Sequence, residues 1–227
     1  MKKLIVTRAD NNIQNWKNLI HPILKEYAKR CNADFLCIWN DVKDNSRAYA
    51  IMQLYDLFNK YDRILQIDTD CLILKHCPDI FDLVPYDEIG TIYEDVGSRQ
   101  LHRRNLIKKI QDERQDVNWK SGYINTGVFI TSKCHKEIFN PSEPLWMDFG
   151  YDDVELGYQI HKNNFKIYEL PFTFNHMSMF SESWNLFASK FDSYIIHFAG
   201  NGFDNRISRF NQIYQEYLIF KKYNMVY

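Results

Sequence analysis

The chain has 227 residues, 45% of them hydrophobic and 16% aromatic, enough to enclose the core of one globular domain. A net charge of -1 gives no global basic field, which excludes a chain that binds nucleic acid or an anionic membrane through charge alone. No apolar run approaches the roughly 18 residues of a membrane-spanning helix, and the five scattered cysteines, odd in number and without zinc-ribbon spacing, read as reduced, buried, intracellular thiols.

The amino terminus is basic and then apolar for only a strand's length before Arg8 and Asp10, which does not make a secretory leader. A cytoplasmic, unsecreted protein is the expectation. Residues 3–7 read as a first buried strand whose polar exit, Arg8 to Asn12, lies where open α/β sheets bind ligands. From Trp16, the residues Leu19, Ile20, Ile23, Leu24, Tyr27 and Ala28 recur at helical spacing, and Pro22 inside that stripe should kink the helix or break it in two. Residues 34–39 form a second strand. A second helix follows, N-capped by Ser46 or Asn45, with Ala50, Ile51, Leu54, Leu57, Phe58 and Tyr61 on its apolar face.

The apolar run at Ile64 then carries Asp68, Thr69 and Asp70 at its end. Strand, helix, strand, helix, strand is the order of a doubly wound, parallel sheet. In an extended chain, Asp68 and Asp70 project to the same side and make an all-oxygen niche that suits Mg²⁺ or Mn²⁺. The alternative is a solvated loop start. Residues 88–93 form another strand. Residues 94–120, crowded with Arg99, Arg103, Arg104, Lys108, Lys109 and Arg114, read as an exposed helical insertion anchored by Leu101, Leu106, Ile107 and Ile110. That insertion is either a solvated charged face or an acceptor-binding surface.

Core texture returns at Trp119. Asn125, Thr126 and Gly127 interrupt a strand, through a β-bulge or because a ligand or backbone comes close to the glycine. Asp152 and Asp153 open a helix whose dipole favours their ionised form. Residues 166–170 are a short strand, and Pro171 to Met177 form an aromatic loop. His197 ends a further strand just before Gly200, and an amphipathic helix closes the chain. Neither a repeat nor a low-complexity segment appears.

Five stretches, in order, resemble the retaining GT-A glycosyltransferases, specifically the glycogenin/lipopolysaccharide-galactosyltransferase group and the galactosyl/xyloglucan-xylosyltransferase group. They are Val6 to Ala9, Tyr61 to Asp70, Ile124 to Phe129, Asp152 with Asp153, and Ile196 to Gly200; Pro171 to Asn175 also looks like a segment of these groups. The resemblance spans nearly the whole chain. It implies an α/β GT-A (nucleotide-diphospho-sugar transferase) fold, a mostly parallel central sheet flanked by helices, in a single domain: a nucleotide-binding half at 1–93, the helical insertion at 94–120, and an acceptor half with the terminal helix at 121–227.

The activity it implies is transfer of a sugar from a UDP-sugar donor to a glycan or protein hydroxyl, with retention. Asp68, Asp70 and His197 would ligate Mn²⁺ or Mg²⁺ on the donor diphosphate. Val6, Thr7 and Arg8 would line the base and ribose pocket, and Thr69, Gly200 and Arg47 would lie against the donor. Asn125 would hydrogen-bond the donor sugar, and Asp152 or Asp153 would face sugar and acceptor. Same-face attack is the implied route; a double displacement would use Asp153 as nucleophile.

Two departures stand out. The Lys-Pro-Trp of the glycogenin group is replaced by Asn201-Gly202-Phe203, leaving Arg206 or Arg209 to meet the diphosphate, and its Asp-Gln becomes Asp152-Asp153 or Asp153-Val154. Without the membrane anchor of Golgi members, a bacterial enzyme or one from a large DNA virus that glycosylates its own capsid fits. The competing functions are a sugar-nucleotide nucleotidyltransferase, against which the polar exit of the first strand lacks a glycine-rich loop, and a catalytically inactive carbohydrate-binding module.

Overall fold

The computed structural model describes residues 1–9, 13–39, 47–178, 185–199 and 208–227, without the side chains of Trp39 and Arg47. Strands with apolar residues on both faces need cover on both sides, and the sequence supplies it with helices. In β1 (Lys3–Ala9) Ile5 joins Leu65 and Ile67 of β3 (Arg63–Ile67) in one core layer, while Leu4 and Val6 join Ile64 in the other. The first layer is closed by α1 (Gln14–Arg30) and α6 (Arg209–Lys222) through Ile20, Leu24, Ile213 and Phe220. Ile51 and Leu54 before and within α2 (Leu54–Leu57), with Leu156 and Ile160 of α5 (Tyr151–Lys162), close the second.

Both β2 (Ala33–Trp39) and β3 pair in parallel with β1. Beyond β3 lies β6 (Ile124–Ser132), antiparallel both to β3 and to β5 (Glu88–Tyr93), and β7 (Lys166–Glu169) then pairs in parallel with β5. The sheet order is β2-β1-β3-β6-β5-β7, mostly parallel with β6 alone reversed. A second, three-stranded sheet of β4 (Cys71–Ile73), β9 (Ile195–His197) and β8 (His176–Met177) stands in the order β4-β9-β8. Among the described residues no helix is long and apolar enough to cross a membrane.

Several local expectations change. Pro22 neither breaks nor ends α1, because it lies on the exposed side of the helix, where water can satisfy the carbonyl of exposed Asn18 that loses its partner. The helix expected around Ala50 is a 3-10 segment, Arg47–Gln53, running into the single turn α2. Its proposed caps, Asn45 and Ser46, lie outside the described residues.

The run from Ile64 to Ile73 is two strands in two sheets, separated by a turn in which the Cys71 N–H donates to the Asp68 carbonyl at 3.0 Å. Asp68 and Asp70 therefore meet by a turn and not by strand alternation. Of the thiols, Cys37 is half-buried and Cys134 exposed, against the expectation that all are enclosed.

The insertion also differs from a solvated face. Leu106, Ile107 and Ile110 of α4 (Gln100–Glu113) pack with Trp119, Val154 and Tyr158, but Leu101 is 74% exposed while Arg103 is buried. That packing depends on Gly157. A Cβ there would lie 2.7 Å from Trp119 Cζ2 and closer still to Cη2, with the ring 1% exposed and unable to retreat. Alanine at a helix interior normally gains about 1 kcal/mol over glycine, whereas overpacking costs about 1–3 kcal/mol. Gly157→Ala is expected to lose stability, read as a lower urea midpoint; a higher midpoint would show that the Trp119 contact gives way.

Candidate active site

Register brings the candidate ligands together. Cys71 of β4 pairs with His197 of β9, and the Phe198 N–H donates to the Asp70 carbonyl at 3.0 Å, so His197 arrives beside the turn that ends β3. The Asp68 N–H donates to the Gly127 carbonyl at 2.9 Å, tying the same turn to β6. Gly127 is required by the close approach of the imidazole: a Cβ would fall 2.8 Å from His197 Nδ1 and nearer to Cε1. The bulge expected there exists as well. Gly90 of β5 opposes Ile130 while Ile92 opposes Asn125, so extra residues of β6 are accommodated between them.

His197 Nε2 lies 3.3 Å from Asp70 Oδ1 and 4.0 Å from Asp68 Oδ2. Its other nitrogen, Nδ1, is 2.8 Å from Asn175 Oδ1. The Asn175 amide donates to Asn125 Oδ1 at 2.9 Å, which leaves its own oxygen as the acceptor and assigns the hydrogen to His197 Nδ1. Nε2 is thereby turned to the carboxylates. Asn125 Oδ1 also takes the Gly127 N–H at 3.0 Å, and Asn125 Nδ2 donates to Glu94 Oε2 at 3.3 Å.

The remaining oxygens are occupied. Asp68 Oδ1 accepts from Arg8 at 2.7 Å and from Gln66 at 2.8 Å, and Asp70 Oδ2 accepts from Arg209 at 2.9 Å. Asp68 Oδ2 and Asp70 Oδ1 are left facing His197 Nε2, carboxylate oxygens beside an oriented imidazole of the kind that suits Mn²⁺ or Mg²⁺, and the ligand atoms of Asp70, Cys71 and His197 lie within 4.8 Å of one another. Cys71 Sγ stands beside them, but burial first, then Asp70 and Asp68, raise its pKa well above the ordinary value, and the thiol donates to the Gly127 carbonyl. Burial opposes an imidazolium at His197, yet Asp70 and then Asp68 outweigh it and raise its pKa. The two aspartates are pushed apart: Asp68 goes up through burial, reinforced by Asp70 against the pull of Arg8, while Asp70 goes down because His197 and Arg209 overcome its burial.

Arg8 spans the cavity wall. Nη2 donates to Asp68 and Nη1 to Asp152 Oδ2 and to the Ala48 carbonyl, both at 2.6 Å. Thr126 joins the next pair, its hydroxyl 2.9 Å from Asp152 Oδ2 and 2.8 Å from Asp153 Oδ1, while its N–H donates to Asp153 Oδ1 at 2.8 Å. One hydroxyl hydrogen cannot serve two acceptors, so this geometry calls for a further proton. Burial, then Asp152, then Glu94 raise the Asp153 pKa from 3.8 to about 8. The expectation that the helix dipole keeps both carboxyls ionised therefore fails at Asp153, where desolvation and like charge win.

These groups line a cavity of about 370 Å³ that holds Arg8, Asp68, Asp70, Asn125, Asp152, Asp153, His197 and Arg209 together with Glu94, Arg99 and Arg103. Larger hollows of about 610 and 580 Å³ include none of the expected site residues. Val6 and Thr7 are sealed in the sheet at 0% exposure and do not line the cavity. Thr69 spends its hydroxyl on Thr7 and the Arg8 carbonyl. Gly200, Arg206 and the Arg47 side chain lie outside the described residues. Glu94, Arg99, Arg103 and Thr126 had no assigned role in the sequence reading; only the crowding of charge after residue 93 hinted at the first three.

No protein-family model matches the sequence, and no curated protein matches it. Solved structures match by shape. A glycosyltransferase involved in the glycosylation of the major capsid of PBCV-1 superimposes with a TM-score of 0.63 at 15% identity, over 95% of this chain and 100% of that one. The galactosyltransferase LgtC, solved with donor and acceptor sugar analogues, gives 0.56 at 14% identity over 94% and 95%. Mouse xyloside xylosyltransferase 1 gives 0.53 at 12% identity over 88% and 98%. Identity this low establishes shared architecture, and the architecture is the GT-A fold expected from the motifs.

The Asp153 proton has a measurable sign. Its folded pKa lies above the ordinary value, so the stability it contributes is complete below pH 4 and is lost as pH rises through about 8. Asparagine keeps the shape without the charge. Asp153→Asn is expected to raise the thermal midpoint over wild type by an amount that grows from pH 5 to pH 8, at up to about 1.4 kcal/mol per pH unit; a pH-independent difference would contradict the raised value.

Proposed function

We propose that this chain is a metal-dependent glycosyltransferase that moves a sugar from a UDP-sugar to a glycan or protein hydroxyl, with retention of configuration. The observation that carries the reading is that Asp68 Oδ2 and Asp70 Oδ1 both face His197 Nε2, whose other nitrogen is held by Asn175, in the cavity that also holds Asn125, Asp152 and Asp153. A binding module would have no use for two carboxylates and an oriented imidazole brought together by register. The GT-A architecture, shared with a transferase solved with donor and acceptor analogues, is consistent with this reading.

Asp68, Asp70 and His197 would hold the cation. A bound Mn²⁺ or Mg²⁺ supplies Lewis-acid stabilisation to the charge that grows on a departing diphosphate. Arg209, already on Asp70, puts a second positive charge on that side and takes the place of the lysine this chain lacks. Asn125 has both lone pairs of Oδ1 engaged and one N–H on Glu94, which leaves its other N–H for a sugar hydroxyl. Arg8 keeps Asp152 and Asp68 at a fixed separation, so the acceptor side and the cation side are positioned by one guanidinium.

Asp153 decides between the two routes to retention. A double displacement needs an ionised carboxylate as nucleophile. Asp153 is held neutral near pH 7 and its Oδ1 is committed to Thr126, which favours a hydrogen-bonding role and leaves same-face attack, with the leaving phosphate taking the acceptor proton, as the proposed route.

Calorimetric titration of UDP tests the reading. Binding is expected with Mn²⁺ and expected to vanish with EDTA or in Asp70→Asn. In Asn175→Leu, which removes the acceptor that orients His197 together with the amide that donates to Asn125, metal affinity should fall about 10–100-fold while UDP binding recovers at high Mn²⁺. Equal UDP binding with and without metal would sink the proposal.

A further inference from the structure

We propose that the end of this cavity walled by Arg99 and Arg103 is an anion subsite, and that one of the sugars handled here carries a carboxylate or phosphate held there. This rests on the glycosyltransferase reading and names the substrate class of the same cavity. Two guanidinium groups share a single carboxylate oxygen: Arg103 Nη2 lies 2.8 Å and Arg99 Nε 3.0 Å from Glu94 Oε1. The other oxygen of Glu94 is taken by Asn125. Glu94 is 2% exposed, so both guanidinium groups lean on one enclosed anion.

Asp153, whose charge would act on both arginines, keeps its proton. Arg103 is 5% exposed, and its Nε and Nη1 have no acceptor among the described residues. An enclosed cation with unmet hydrogen bonds is costly unless an anion arrives to meet it.

Competition between the two arginines points the same way. Glu94 raises Arg103, whereas burial and the like charge of Arg103 lower Arg99 in spite of Glu94. Neighbouring Arg104 is already balanced, its Nε 2.9 Å from buried Asp95. Arg103 lies between the rings of Tyr123, 4.8 Å from the guanidinium carbon, and Phe149, 5.2 Å away. Ring faces stabilise a guanidinium from above and below but leave its in-plane hydrogens unsatisfied. Nε–H and Nη1 lie on different edges of the guanidinium, and each can offer a charge-assisted hydrogen bond to a carboxylate or phosphate. Phe149 is itself 51% exposed, so the cover over Arg103 is a side chain that solvent already reaches.

The donor diphosphate is assigned elsewhere. Two amide side chains, Asn125 and Asn175, stand between Glu94 and His197, which separates the arginine end of the cavity from the cation niche.

The test compares matched ligands at saturating Mn²⁺. In the donor arm UDP-glucuronate is titrated against UDP-glucose; in the acceptor arm, with UDP bound, methyl glucuronide and glucose 6-phosphate are titrated against methyl glucoside. An anionic ligand is expected to bind at least tenfold tighter than its neutral partner in one arm. That preference should fall at least fivefold in Arg99→Gln, which leaves the Glu94–Arg103 pair to hold the fold, and also in Arg103→Lys, which keeps a charge on Glu94 but removes Nε and Nη1. Tight UDP binding with no anionic preference in either arm, or a preference unchanged in Arg99→Gln, overturns the subsite and leaves the transferase reading standing. Failure of UDP itself to bind overturns both.

Discussion

Five carboxyl groups, Asp68, Asp70, Glu94, Asp152 and Asp153, share the wall of one cavity, and their repulsion is the constraint that the surrounding side chains answer. Like charges in a poorly solvated space cannot all persist without partners. Each is met differently. Arg8 lies between Asp68 and Asp152, Arg209 reaches Asp70, Arg99 and Arg103 converge on Glu94, and Asp153 holds a proton. One oxygen on each of Asp68 and Asp70 is turned to the Nε2 of His197, which pairs with Asp70, and on the proposed reading a divalent cation would take over that pairing.

The two sheets exist, in functional terms, to hold those groups within a few ångströms of one another. A single sheet could place Asp68 at a strand end, but His197 comes from a strand more than 120 residues later. The turn from Asp68 to Cys71 passes the chain from the larger sheet to the smaller, and the pairing of Cys71 with His197 closes the circuit. Reversed strand β6 completes it from the other side. Its irregular stretch opposite β5 carries Asn125 to the imidazole's support, Thr126 to Asp152 and Asp153, and Gly127 under the ring. A regular strand would send alternate residues to opposite faces; the extra residues allow consecutive ones to serve one site.

The fold was legible because its signals are local. Continuous apolar runs at Leu4 and Ile64, the helical stripe from Leu19, and the order of the elements all follow from burial on both faces of a sheet. Asp68, Asp70 and His197 stood out through short motifs at strand ends, and register brings them side by side. What escaped depends on contacts between distant segments: Glu94 reads as a loop residue until Arg99, Arg103 and Asn125 close on it, and Thr126 as strand filler until α5 arrives. The enclosure of Val6 and Thr7 was not legible, because proximity to a strand's exit in sequence does not say which side chain the sheet encloses. The tilt of Asp153 toward its neutral form was invisible for the same reason, since only the folded chain sets Glu94 and Asp152 beside it.

On the proposed reading, that neutral form also explains how a carboxyl can stand where the resembling group has an amide. A protonated carboxyl carries no charge, donates one hydrogen bond and accepts others, much as a primary amide does. The substitution therefore costs little hydrogen-bonding capacity provided that the proton is retained, and the cavity enforces this by crowding Asp153 with Asp152 and Glu94. Arg8 sharpens the division by binding Asp152 and not Asp153, so charge is concentrated on the residue that shares a guanidinium with the cation site. Two adjacent acids thus differ in role because one has a cationic partner and the other has only anionic neighbours. The same logic links the arginine end of the cavity to the acid pair: Arg99 and Arg103 both turn to Glu94, and a neutral Asp153 adds no second anion beside them.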